Sequence, residues 1–316
     1  MLPGSHPRSA CPAPRRILPP ICRQINVDLL YFNICKVRAS YPIVDHRERF
    51  VAPHSLCFSS DGSKIICGST SLITVFSLSL PGTVYASFQT ASSRRDASNT
   101  AQKGIISAMA INPDYSHVLA TGTFQGSIGL YADEGQGEVI SVFSAHEQTG
   151  ITQVEWSSCG RYLFVASRRS NIIEVWDIRD YRRSLTSFTG REAMTNQRLG
   201  LSKTFDGSRM VSGGIDGVVK TWDMNFTLDP RPESVSSWKA HQGRACSILS
   251  YLPTNTSEAP IGTAACHPSY SLIATCGGSR ASPFDTSNDS EDDADEMVVE
   301  AVESHIDHTL RIWSYS

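Results

Sequence analysis

Hydrophobic and polar residues alternate along most of the chain after residue 54, in short runs that are separated by residues typical of turns. One unit shows the pattern clearly, with runs at Ile151–Ser157, Arg161–Ser167, Ile172–Asp177 and Ser184–Phe188. Short runs with this period of two predict β-strands that turn one face toward a core. The pattern therefore predicts an all-β protein that is built from four-stranded units.

Five of these units end alike, with an aromatic residue that is followed by a small or acidic one. The steps between the aromatic residues are 55, 45, 46 and 91 positions, so the last step contains an insertion. The five aromatic residues are Phe76, Tyr131, Trp176, Trp222 and Trp313. A unit of about 40–45 residues with four strands and a terminal Trp-Asp is the signature of a WD-repeat β-propeller. The sequence predicts a propeller with five recognisable four-stranded blades.

Histidines and aspartates recur at fixed positions of the repeat. Each of two aspartates lies six residues before a tryptophan, and two histidines lie ahead of the first strand of a unit. In WD repeats such His, Asp and Trp side chains form a hydrogen-bonded set inside a blade, because a buried carboxylate needs partners. The predicted structural set consists of His146, Trp176, Asp216, Trp222, His241, Asp307 and Trp313.

The charge is distributed unevenly along the chain. The 316 residues carry a formal net charge of −3, but nine acidic residues and no Lys or Arg lie between Asp285 and Glu303. Without that segment the balance is 28 basic against 22 acidic residues, or +6. We expect residues 278–304 to form a disordered acidic insert in the last blade, since like charges repel and little apolar area offsets ordering. Residues 1–35 are rich in Pro and Arg and fit no blade, so we assign the propeller to residues 36–316.

Several classes of protein find no support in the sequence. No apolar run reaches the length of a membrane-spanning helix, and no signal peptide is evident. The nine cysteines fall at scattered or strand-equivalent positions, which favours core thiols over a metal site. His305 and His308 flank Asp307 on a predicted strand, so we interpret them as structural. No catalytic motif is present, and we predict no enzyme activity, cofactor or small-molecule substrate.

A basic stretch is the best candidate for a binding surface. Arg161–Arg198 contains eight arginines, and we expect its loops to lie on one face of the propeller. RNA recognition combines phosphate contacts with hydrogen bonds to exposed base edges. The candidate RNA-binding residues are Arg168, Arg169, Arg191, Asn196, Gln197 and Arg198. The alternative is a solvated rim whose amide side chains hold a loop in place.

Five segments carry a resemblance beyond the general WD repeat. They are Val37–Ser40, His54–Gly62, Gly104–Ser107, Gly126–Tyr131 and, most specific, Gly190–Arg198. Over about residues 36–316 the chain resembles the telomerase Cajal body protein family, which also has an acidic insert in the last blade. The resemblance implies seven blades, of which the first two would lie before residue 36. On that basis we expect the chain to be truncated at its N-terminus, with five-blade closure as the alternative.

The resemblance also implies a function. Members of this family bind small Cajal body RNAs of the H/ACA class, and in animals telomerase RNA. We therefore expect a non-enzymatic RNA-binding protein that directs its RNA to the nucleus and into particles together with ribonucleoprotein proteins. The expected location is the Cajal body or nucleoplasm, with the cytoplasm as an additional compartment, and no membrane partner. The alternative is a protein-interaction scaffold, for example in the biogenesis of spliceosomal particles.

Overall fold

The computed structural model describes residues 39–44, 49–93, 95, 98, 100–114, 116–225, 232–241, 261–277 and 310–314. These residues belong to one compact unit, Arg38–Ser316. The predicted Pro/Arg-rich segment 1–35 and acidic insert 278–304 lie outside the described residues. Within the described part there is no α-helix, only a short 3₁₀ turn at Asp133–Gly135, and therefore no helix that could cross a membrane.

The strands form five antiparallel sheets, and each sheet takes consecutive strands of the chain. The first sheet contains β1 (Ser55–Phe58), β2 (Lys64–Ser69), β3 (Leu72–Ser77) and β4 (Val84–Gln89). The second contains β5 (Ile106–Ile111), β6 (Leu119–Thr123), β7 (Ser127–Tyr131) and β8 (Val139–Ser144). The third contains β9 (Ile151–Trp156), β10 (Tyr162–Ser167), β11 (Ile173–Asp177) and β12 (Thr186–Phe188). The fourth contains β13 (Leu201–Lys203), β14 (Arg209–Gly213), β15 (Val218–Asp223) and β16 (Ser236–Lys239). The fifth contains, among the described residues, β17 (Ile261–Cys266), β18 (Leu272–Gly277) and β19 (Leu310–Ser314).

The five sheets are the blades of a propeller. In each sheet the strand order follows the chain, so the first strand lies at one edge. These first strands, β1, β5, β9, β13 and β17, contact one another in the order of the chain. The predicted all-β propeller with four-stranded blades is thus confirmed, and the predicted strands of the third blade match the observed ones to within two residues.

The core lies between neighbouring blades. One cluster joins Ile128 of the second blade to Ile151, Trp156 and Leu163 of the third. The next joins the third blade to Trp222 of the fourth. On the first blade, Ile43 and Tyr41 cover the buried ring of Phe76, and the Tyr41 and Phe76 ring centroids lie 5.3 Å apart. In the first four blades the middle strands are therefore covered on both faces.

The close approach of two blades requires a residue without a side chain in the second strand. A Cβ atom added at Gly122 of β6 would lie 2.4 Å from Cγ2 of Ile151 in the next blade. Gly68 occupies the same place in β2, where a Cβ would lie 2.7 Å from Cγ2 of Ile106. Because interiors are packed at crystal-like density, neither isoleucine has free space to move into.

The aromatic residues that end the third strands have different polar partners from blade to blade. In the fifth blade, the indole N–H of Trp313 donates to Oγ1 of Thr275 at 2.9 Å, and Nε2 of buried His241 lies 2.9 Å from the same oxygen. In the second blade, the Tyr131 hydroxyl donates to Oε1 of Gln102 at 2.8 Å. These two blades each contain a connected polar group inside the core.

The third blade uses a glutamate for the same purpose. Glu174 is 2% exposed, and its carboxylate accepts hydrogen bonds from the Trp176 indole at 2.9 Å and from the His146 backbone amide at 2.9 Å. The His146 side chain itself is exposed. The prediction that this imidazole belongs to the buried set is therefore wrong for the third blade, where only the His146 main chain takes part.

The fourth blade differs again. The Trp222 indole donates to the main-chain carbonyl of Thr189 at 2.9 Å. Asp216 is half-buried, and its carboxylate accepts the Val218 amide at 3.1 Å, which closes the turn before β15. Asp307 lies outside the described residues.

His241, Trp176 and Trp313 of the predicted set thus take part in buried polar groups. The repeat pattern does not identify the polar residues at the centre of these groups, which are Thr275 and Glu174, or Gln102 beside Tyr131.

Gly122→Ala should destabilise the protein by about 1–3 kcal/mol, because the new methyl group overpacks the contact with Ile151. Chemical denaturation of the full chain measures the change. In the background of Ile151→Ala, which removes the opposing Cγ2, the same substitution should cost less than it does in the wild type. An unchanged denaturation midpoint for Gly122→Ala would contradict this account of blade packing.

Glu174 should make stability depend on pH. Burial raises the pKa of Glu174 above its ordinary value, while the bonds from His146 and Trp176 oppose that rise. The folded protein then holds the proton more tightly than the unfolded chain, so the free energy of unfolding should fall as the pH rises from about 4.5 through the raised pKa. Glu174→Gln should lack this slope when denaturation is followed between pH 4 and 7. An identical pH profile for both proteins would contradict the prediction.

Candidate nucleic-acid interface

The basic stretch Arg161–Arg198 does not form one surface. Arg161 precedes β10 and Arg168 follows it, so the two residues lie at opposite ends of the strand. In the antiparallel register Tyr162 pairs with Asp177 and Ala166 with Ile173, which puts Arg179 at the Arg161 end. The expectation of a single eight-arginine surface is therefore wrong. The candidate residues in the loops after β10 and β12 share one face, and the other arginines of the β10–β12 connections lie at the opposite edge.

The two candidate loops are joined to each other. The Arg169 amide donates to the carbonyl of Thr195 at 3.0 Å, and the Ala193 amide donates to Oδ1 of Asn171 at 2.7 Å. Arg169 itself is exposed and has a positive φ of 51°. The loop after β10 and the loop after β12 therefore form one continuous surface, which we call the loop surface.

Arg198 connects this surface to two inner strands. Its Nε donates to the Thr152 carbonyl of β9 at 2.8 Å, and its Nη2 donates to the Ser107 carbonyl of β5 at 2.7 Å. Partial burial and the nearby Arg168 guanidinium lower the pKa of Arg198. These bonds fix the guanidinium at the junction of the second and third blades, beside a cavity of about 440 Å³ that β1, β5 and β9 line.

Arg168 lies against an aromatic ring. Its guanidinium carbon is 4.0 Å from the ring centroid of Phe124, which follows β6, so the contact has the geometry of a cation–π interaction. Its Nε is buried without a hydrogen-bond partner among the described residues. Gly150 lies close to both residues, since a Cβ there would be 2.9 Å from the Phe124 carbonyl oxygen and 3.4 Å from Cδ of Arg168. Arg168 is thus held by stacking and retains an unused donor.

Arg191 has a different environment from the other candidates. It is 3% exposed, its Nη2 donates to the Leu199 carbonyl at 3.2 Å, and burial lowers its pKa to about 10. Nε and Nη1 have no hydrogen-bond partner among the described residues. The predicted phosphate contact by Arg191 is therefore inconsistent with its burial. The bond to Leu199 ties together the two ends of the loop that carries Asn196 and Gln197.

Asn196 and Gln197 lie at the exposed tip of this loop. The Gln197 amide donates to Oγ1 of Thr195 at 3.1 Å, which stabilises the turn. Neither side-chain amide is hydrogen-bonded to another residue of the described chain. The loop therefore presents two free amide groups beside Arg168, Arg169 and Arg198, the arrangement that the sequence suggests for contact with base edges.

The described residues contain no cluster of three or more His, Cys, Asp or Glu side chains that could hold a metal ion. The five cysteines in this part of the chain are free thiols: Cys57, Cys67, Cys159, Cys266 and Cys276. Burial raises the pKa of Cys57 to about 12 and that of Cys266 to about 11, so both are poor nucleophiles at neutral pH. His305 and His308 lie outside the described residues.

Comparison with known proteins agrees with the fold and with the family resemblance. The WD domain, G-beta repeat family matches residues 137–177. Human telomerase Cajal body protein 1 is 31% identical over 284 residues, which cover 88% of this chain and 46% of that protein. The chain is a relative of the telomerase Cajal body proteins. It spans about half the length of the curated relatives that it matches.

More distant relatives extend the comparison. The Drosophila melanogaster homolog of telomerase Cajal body protein 1 is 30% identical over 61% of this chain and 34% of its own length. Guanine nucleotide-binding protein negative regulator 1 of Schizosaccharomyces pombe is 33% identical over 62% of this chain and 49% of its own length. A chain of the mitotic checkpoint complex superposes with a TM-score of 0.56 at 17% identity, covering 84% of this chain and 63% of that chain, and supports the fold alone.

Arg191→Ala should destabilise the protein by about 1–3 kcal/mol, because it leaves the Leu199 carbonyl without its partner and opens a cavity. Amide hydrogen exchange should become faster within residues 193–199, where the loop loses its closure. Arg191→Met, which keeps most of the side-chain volume, should have a higher free energy of unfolding than Arg191→Ala. Wild-type stability together with wild-type exchange in Arg191→Ala would contradict a positioning role.

Proposed function

We propose that the protein is a non-enzymatic RNA-binding propeller that binds H/ACA-type small Cajal body RNA or telomerase RNA. The observation that carries the proposal is the loop surface, where three arginines and two free amide side chains come together. Arg168, Arg169 and Arg198 supply positive charge, and Asn196 and Gln197 supply groups for reading base edges. The names of the relatives support the choice of RNA, since they refer to telomerase and the Cajal body.

The chemistry of the loop surface suits single-stranded RNA in a hairpin loop. Proteins read such loops by phosphate contacts, by stacking on aromatic or guanidinium planes, and by hydrogen bonds to base edges. Phosphate contacts position the RNA, whereas contacts with bases provide specificity. In this division Arg169 contacts the backbone, and Asn196 and Gln197 contact bases.

The proposed biological role follows from the same relatives. The protein would direct its RNA to the nucleus, in the Cajal body or nucleoplasm, and take part in particle assembly with ribonucleoprotein proteins. Propeller blades are suited to such a role because their loops present separate surfaces for RNA and for protein.

A protein-interaction scaffold, for example in spliceosomal particle assembly, is the second candidate. Two observations favour it. Arg191 and Arg198 both use donors to hold main-chain carbonyls, so part of the basic loop serves the fold. The fission yeast relative carries a name that refers to a guanine nucleotide-binding protein and not to RNA.

A salt titration of RNA binding distinguishes the two functions. The full chain is titrated with an H/ACA-type hairpin and with the same stem carrying a scrambled loop. Arg169→Gln should weaken binding of both RNAs and make the log–log salt slope shallower by about 0.7, because one phosphate contact to a single strand is lost. Asn196→Ala should leave the slope unchanged and narrow the difference between the two hairpins.

Arg182→Gln is the matched control. Arg182 is exposed in the loop between β11 and β12, at the edge opposite the loop surface, and its Nε lies 3.8 Å from the Asp180 carboxylate. This variant should bind both hairpins as the wild type does. Equal slopes and equal discrimination in all four proteins would overturn the RNA-binding surface and favour the scaffold.

A further inference from the structure

Arg168 and Arg198 enclose a small cavity where the loop surface meets the inner strands. Its volume is about 90 Å³, and Phe124, Asn196 and His54 complete its wall together with Ser107 and Thr152. We call it the arginine pocket. Two arginines line it and none of its lining residues is acidic, so its wall carries positive charge.

The positive charges of Arg168 and Arg198 repel each other, so other contacts must hold the two side chains in place. The Arg168 guanidinium is near enough to Arg198 to disfavour the charged form of Arg198. Arg198 cannot turn away, because its Nε and Nη2 are bound to the carbonyls of two blades. Arg168 is held by the Phe124 ring. The fold thus fixes both cations in place, and an anion between them would relieve the repulsion.

The pocket also has unused hydrogen-bond donors. Arg168 lines the pocket, and its terminal nitrogens make no hydrogen bond among the described residues. Arg198 uses Nε and Nη2 for main-chain carbonyls, and its Nη1 makes no hydrogen bond within the described chain. A tetrahedral oxyanion accepts such convergent donors with several oxygens at once.

Size restricts the ligand. The cavity is too small for a nucleoside, and its wall combines cationic and polar groups with the rings of Phe124 and His54. We propose that the arginine pocket binds one phosphate group. The inference deepens the proposed function and rests on it where that phosphate belongs to an RNA, either at a chain end or within the backbone. The binding of free phosphate stands independently of RNA.

Inorganic phosphate is the first probe. Thermal unfolding of the full chain is compared in phosphate and in chloride at matched ionic strength and pH 7. A ligand that binds only the folded state raises the unfolding temperature as its concentration exceeds the dissociation constant. Wild-type protein should gain stability in phosphate, and Arg168→Gln should lose most of that gain.

Arg182→Gln serves as the control for the general effect of phosphate on protein stability, because phosphate also acts by exclusion from the surface. This variant should keep the full wild-type gain. Should Arg168→Gln fail to fold, Arg168→Lys replaces it; lysine keeps the charge but loses the planar guanidinium with its several donors, so its gain should be smaller than that of the wild type. An equal gain in the wild type and the Arg168 variant overturns the proposal.

Short single-stranded RNAs identify the source of the phosphate. A 5′-phosphorylated oligonucleotide that competes with inorganic phosphate more strongly than its 5′-hydroxyl form indicates a chain end, and equal competition indicates a backbone phosphate. If phosphate stabilises the wild type and no RNA binds, the phosphate site is supported and the proposed RNA-binding function is wrong. If RNA binds and phosphate gives no specific gain, the pocket is wrong and the proposed function stands.

Discussion

The burial of middle strands on both faces, between neighbouring blades, is the constraint on which this structure depends. In β6 and β10 the strands are buried almost along their whole length, on the side of the preceding blade and on the side of the next one. A blade alone would leave both of these faces in water, so its middle strands are buried only when other parts of the chain cover them. The contact of Gly122 with Ile151 shows how close the cover must be, and Tyr41 and Ile43 show that a short segment supplies it for the first blade.

The same constraint explains the varied polar chemistry of the blades. A polar atom inside a doubly buried sheet costs free energy unless it has a partner. His241 with Thr275, Gln102 with Tyr131, and Glu174 with Trp176 are three solutions to one requirement. Every one of these three blades supplies a hydrogen-bond partner for its buried polar group, but the residue type of that partner differs from blade to blade. For that reason the aromatic positions are regular in the sequence and their partners are not.

This difference defines what the sequence predicts. Strand period, blade number and blade spacing follow from alternation and turn residues, which are local properties of the chain. The link from Glu174 to the main chain of His146 joins β11 to the loop between β8 and β9, and no local pattern indicates it. Arg191 and Arg198 lie in one short loop, and nothing in their local sequence distinguishes their roles. In the structure Arg191 is buried, whereas Arg198 lies at the junction of two blades. Their separation depends on how the loop closes.

The two ends of the third blade show where positive charge remains available for a ligand. At one end Asp177 accepts hydrogen bonds from Arg161 and Arg179, with closest distances of 3.1 and 2.9 Å, so a carboxylate offsets these cations within the blade. At the other end Arg168 and Arg198 meet aromatic and carbonyl groups, which orient a guanidinium without neutralising it. Total arginine content therefore does not locate the binding surface. The charge that can act on a phosphate is the charge that the fold holds in place and leaves without a carboxylate, and in the third blade it lies on the loop surface.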